Sequence, residues 1–126
     1  MFEVFVIRGR TSYDVITLYE ADDNGLTLNS GDVVRFKAWR RNAATPDLDI
    51  DSAAALSGGS VVQVNQTASA AVVTLLVAQG DTEGLGVGAY DAEVSVVDSG
   101  DSNRIKVAEQ GILHVLDSGG GDLGLT

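Results

Sequence analysis

His114 is the single histidine of the 126-residue chain, and Asp117 and Ser118 follow it closely. A Ser–His–Asp set can activate a hydroxyl, because the imidazole takes its proton while the carboxylate fixes the tautomer. That requires the three side chains to converge. Here His114 alternates with Ile112 and Leu116 as on a strand, and adjacent strand positions point to opposite faces. His114 therefore reads as a satisfied strand histidine, and no Gly-x-Ser-x-Gly elbow offers another nucleophile. Asp47, Asp49 and Asp51 stand at alternate positions like the opening of a calcium loop. Such a loop needs a turn glycine where Ser52 stands and a bidentate glutamate where Gly58 stands. A weak surface cation at these three carboxylates stays open, beside the plainer reading of an acidic edge strand. Residues 84–89, GLGVGA, match the G-x-G-x-x-A dinucleotide fingerprint. That motif works only where a helix follows, since the helix N-terminus receives the pyrophosphate. From Tyr90 onward the chain alternates as a strand, so the glycines read as the corner leading into it. No catalytic, cofactor-binding or metal residue is assigned, and a non-enzyme is expected.

The elements that would hold any site must come from a chain of single-domain length. It has no cysteine, so disulfides and thiolate chemistry are excluded. Eighteen acidic residues against eight basic ones give a net charge of −10. That excess argues against nucleic acid and against an anionic membrane surface, both of which select clustered cations. The longest apolar stretch, residues 70–78, is too short to span a bilayer. A soluble protein made in the cytoplasm is expected.

Period-two alternation dominates the chain, which predicts strands. These are residues 2–7, 12–19, 33–41, an edge strand at 48–50, 61–65, 70–78, 89–97, 105–107 and 112–116. Turn residues separate them at Asp22–Gly25, Asn29–Asp32 and Asp98–Asn103, and residues 53–56 could form one helical turn. About seven to nine short strands without an amphipathic helix predict an all-β, antiparallel sandwich. Its expected core includes Val34, Phe36, Val73, Leu75, Tyr90, Val94 and Val96. The three tyrosines and three phenylalanines are expected mostly on apolar faces.

Two features point to partners. Arg35, Lys37, Trp39 and Arg41 share one face of the predicted strand 33–41, with Arg40 adding to the basic cluster. Tryptophan and arginine are enriched where proteins bind proteins. The alternative is that Trp39 lies beneath a loop while the cations sit in water. The tail, residues 117–126, reads DSGGGDLGLT, a glycine swivel followed by Leu123 and Leu125. Those two leucines are expected to dock on a neighbouring subunit. The division is thus residues 1–116 as the sandwich and 117–126 as a C-terminal arm.

Several segments together resemble a family of small immunoglobulin-like β-sandwich proteins of tailed bacteriophages, similar to the N-terminal domain of baseplate upper proteins. The resemblance rests on Arg8-Gly9-Arg10-Thr11, the turn Asp22 to Gly25 with Leu28, and the strand carrying Val34 and Phe36. Its most specific stretch is Asp81-Thr82, Leu85, Gly88 and Tyr90, followed by Glu93, Val94 and Val97-Asp98. Arg10 departs from the acidic residue usual at its position. The resemblance implies an immunoglobulin-like sandwich with a virion structural role and no catalytic residues. Within that role a capsid decoration or cement protein, bound to the major capsid protein and possible as a homo-oligomer, is expected ahead of a tail or baseplate component. A small carbohydrate- or calcium-binding sandwich is the reading from a different class.

Overall fold

Eight strands and one short helix follow one another in the computed structural model, which describes residues 1–19, 25–101 and 105–117. They are β1 (Phe2–Ile7), β2 (Ser12–Leu18), β3 (Val33–Trp39), β4 (Leu48–Asp51), β5 (Val61–Gln66) and β6 (Ala71–Val77). Then come α1 (Gln79–Glu83), β7 (Gly88–Val97) and β8 (Ile105–Leu116). A five-stranded sheet runs β1-β8-β7-β3-β4 and a three-stranded sheet runs β2-β6-β5. All pairings are antiparallel except β1 with β8.

The alternation visible in the sequence sets which side of each strand is buried. Val34, Phe36 and Ala38 of β3 face Tyr90, Ala92, Val94 and Val96 of β7 across the same inner surface. Val73, Leu75 and Val77 of β6, with Ile16 and Leu18 of β2, supply the opposing layer. All seven expected core residues are buried. Full burial of one such side chain contributes about 1.5–3 kcal/mol, so the inner faces dominate stability.

Strand order and one corner name the fold. The three-stranded sheet is built from the second, sixth and fifth strands, and the larger sheet from the third, fourth, seventh and eighth with the first added in parallel. This is the two-sheet plan of immunoglobulin domains. Tyr90, at the start of β7, donates its hydroxyl to the Gly86 carbonyl at 2.7 Å. That is the tyrosine corner of such domains, in which a cysteine follows two residues later. Here the position is Ala92, buried, and packing replaces the disulfide. The protein is an immunoglobulin-like antiparallel β-sandwich.

Three expectations at element level are corrected. Residues 53–56 form no helical turn; the helix lies at Gln79–Glu83 instead. Residues 105–107 and 112–116 are one continuous strand, β8, with a register shift opposite Val94 and Ser95. Phe5, Tyr13 and Tyr19 are exposed, so half of the six phenylalanine and tyrosine side chains stand in solvent rather than on buried faces. Asp22 to Asn24, Ser102, Asn103, Ser118 and the arm with Leu123 and Leu125 lie outside the described residues.

Candidate functional site

The glycine string closes a corner. Gly84 caps the C-terminus of α1, so the helix precedes these glycines rather than following them. Gly86 lies beneath the Arg40 guanidinium, where a Cβ would stand 2.0 Å from its terminal nitrogen. Gly88 opens β7 at a φ of 143°, which side chains rarely tolerate. Arg40 itself donates to the Tyr90 hydroxyl at 3.2 Å and lies 5.4 Å over the ring centre. One of the clustered cations is therefore a structural clasp.

The segments that carry the family resemblance interlock. The Thr82 hydroxyl, fully buried, accepts from the Gly9 N–H at 3.1 Å and lies 2.9 Å from both the Arg10 and Gln79 carbonyls. Thr11 accepts from the Gln79 N–H, and Arg8 donates to the Glu83 carbonyl. Asp81 takes a short hydrogen bond from the Ser60 hydroxyl, which in turn accepts from the Ala78 N–H at 2.8 Å. Residues 8–11 and 79–90 thus meet at one end of the sandwich. Their side chains hold backbone.

The basic strand is a matched ladder on the outer face of the five-stranded sheet. Arg35 bonds Asp49 at 2.8 Å, and Lys37 lies between Asp49 and Glu93 in the strand register. Trp39, half-buried, stands opposite Asp91, and Arg41, past the end of β3, reaches Asp91 at 3.8 Å. Asp47 and Asp51 accept backbone N–H groups of Arg40 and of Ala53 and Ala54. The three aspartates of the calcium reading therefore have separate partners, and the described residues contain no group of three metal-capable side chains. His114, also on this face, stacks on Phe5 at 4.6 Å and sits 3.4 Å from Glu3.

The opposite outer face, on the three-stranded sheet, differs in kind. The strand register places Tyr13, Leu76 and Val61 in one row. Val15, Thr74 and Gln63 form the next, and Thr17, Val72 and Asn65 the third. Charged residues make up 21% of the chain, yet none occurs in these rows. Tyr13 is 69% exposed and Val15 66%, and Tyr19 continues their line at 50%. Alternation along residues 12–19 puts Tyr13, Val15, Thr17 and Tyr19 on one side of their strand. It does not show that the side is outward, nor that β5 and β6 extend it. Three strands about 4.8 Å apart, each presenting about 16 Å, make a mixed apolar and uncharged polar face of roughly 200–300 Å². No described helix is long and apolar enough to cross a membrane.

Known proteins add little to this picture. No family model and no curated protein matches the chain. Among solved structures it is similar to a chain of the ZIG-8–RIG-5 IG1–IG1 heterodimer, at 16% identity over 90% of this chain and 81% of that one, with a TM-score of 0.39.

Proposed function

We propose that the protein is a non-enzymatic binding module that docks on a protein partner through the uncharged outer face of its three-stranded sheet. The observation behind this reading is the contrast between the two outer faces. One sets cations opposite carboxylates in the strand register, with Arg35 paired to Asp49 and Arg41 near Asp91. The other sets three rows of apolar, hydroxyl and amide side chains against solvent on a protein of net charge −10. Burying aromatic and β-branched side chains is favourable, and the face carries no charge, whose desolvation would cost most.

The partner we favour is a virion lattice, with the chain acting as a capsid decoration protein. Support comes from the resemblance to phage sandwich proteins, carried most specifically by Asp81-Thr82, Leu85, Gly88 and Tyr90. The face alone is below the roughly 800 Å² per partner of a standard interface. A carbohydrate module is the second reading, favoured by the exposed Tyr13 and Tyr19. At about 3.3 Å per residue they stand some 20 Å apart, too far to stack on one sugar ring.

The test is attachment. Val15→Lys and Thr74→Lys should each leave the far-ultraviolet circular dichroism spectrum unchanged. Each should lower occupancy on purified virions lacking the protein by at least tenfold, while Lys37→Ala should have little effect. Full occupancy by both lysine variants would reject the face; binding to glycans with loss in Tyr13→Ala would select the second reading.

A further inference from the structure

The two sheets have four edge strands, and three of them carry a device against pairing with other chains. β4 is four residues long with Asp49 and Asp51, β1 presents the exposed Glu3, and β2 turns Asp14 inward on the side of Ile16 and Leu18. Short edges, edge charges and inward-pointing charges are the known safeguards. β5 has none. It reads Val61-Val62-Gln63-Val64-Asn65-Gln66, without charge or proline, and among the described residues its only strand partner is β6. No other backbone hydrogen bond among the described residues involves 61–66.

We propose that β5 is a homodimerisation edge, pairing antiparallel with β5 of a second copy across a two-fold axis. The second copy is the occupant that the edge chemistry selects. An amide both donates and accepts, so Gln63 and Asn65 complement their own copies, whereas a charge would repel itself across the axis. Two molecules of net charge −10 meet at least cost along an uncharged strand.

The geometry also restricts the register. Paired strands must keep inner residues with inner and outer with outer, so the axis passes through a residue rather than between two. Centring on Gln63 sets it opposite its own copy, with Val62 opposite Val64 and Val61 opposite Asn65. Centring on Val64 would bring in Gln66, whose amide is already engaged with the Leu26 carbonyl and the Leu28 N–H. The dimer joins two three-stranded sheets into one of six strands and doubles the uncharged face. The inference stands on the edge, and holds whether or not the face binds a virion.

Sedimentation velocity of the full chain tests it. Wild-type protein should show a concentration-dependent monomer–dimer equilibrium. Gln63→Lys should weaken the dimer at least tenfold, while Gln110→Lys, the same charge change on β8, should leave it within about twofold. The chain has no cysteine, so Gln63→Cys supplies one thiol per copy and should oxidise to a covalent dimer, whereas Gln110→Cys should not. A wild-type protein that is monomeric at millimolar concentration would overturn the proposal. So would a dimer that survives Gln63→Lys, or one weakened equally by Gln110→Lys.

Discussion

Tyr90 shows how far a single residue can organise this fold. Its ring is buried, its hydroxyl donates to Gly86, and Arg40 lies over it. Tyr90→Phe keeps the ring and leaves the Gly86 carbonyl without its donor, so it should cost about 1–3 kcal/mol in urea denaturation. Gly86→Ala places a Cβ against the guanidinium and should push Arg40 off the ring. The loss should shrink in the Arg40→Ala background, since the two changes disrupt one contact. Full additivity of the two would show that Arg40 and Gly86 do not act together. This role was not legible in the sequence, where Arg40 reads as one of four neighbouring cations. β3 ends at Trp39, and the alternation that sorts Arg35 and Lys37 to one face no longer applies one residue later.

At the scale of elements, α1 exists because of what its side chains reach. Gln79-Gly-Asp-Thr-Glu83 has no apolar period, contains a glycine and lacks a side-chain cap at Ala78, so local propensity gives no signal. Asp81 and Thr82 supply the missing stability through Ser60, Gly9 and Arg10, residues distant in the chain. Thr82→Val preserves shape but strands the Gly9 N–H and should lower stability by about 1–3 kcal/mol. Serine at the same position should restore most of it, and an equal loss with serine would assign the effect to packing instead. The strands were legible because their burial is periodic. β8 was not read whole because Glu109-Gln110-Gly111 resembles a turn; instead the register passes from Val94–Glu109 to Ser95–Val107 and leaves Ala108 as the extra residue. Of the segments resembling phage proteins, Arg8 to Thr11 and Asp81 to Tyr90 meet at one corner, while Val34, Phe36 and Val94 lie in the core. Their contacts hold the fold and leave partner binding to residues outside them.

Across the whole molecule, the uncharged face assembles from segments 12–18, 61–66 and 71–77, and no one segment displays it. Charge also governs the response to pH, through two aspartates with opposite shifts. Burial raises the Asp14 carboxyl above 3.8, and its Oδ2 has no hydrogen-bond partner among the described residues. Backbone N–H groups of Asn29 and Ser99 hold Asp32 below 3.8. For Asp14 the ionised form is the costly one in the fold. Its penalty is full above the raised folded pKa and vanishes below the unfolded value. Asp32 contributes stability above 3.8 that is lost as the pH falls through its lowered folded pKa. Acidification should therefore relieve Asp14 first and release the Asp32 staple last. Asp14→Asn should raise the melting temperature at pH 7, with the gain closing as the pH approaches 4. Asp32→Ala should lower it at pH 7, with the deficit shrinking only below about 3.8. Thermal melts from pH 7 to pH 3 decide the matter: a gain for Asp14→Asn that closes toward acid marks a carboxylate that the fold destabilises, a difference that does not vary with pH would make it an ordinary surface group, and one that grows toward acid would mean that the fold stabilises the charge.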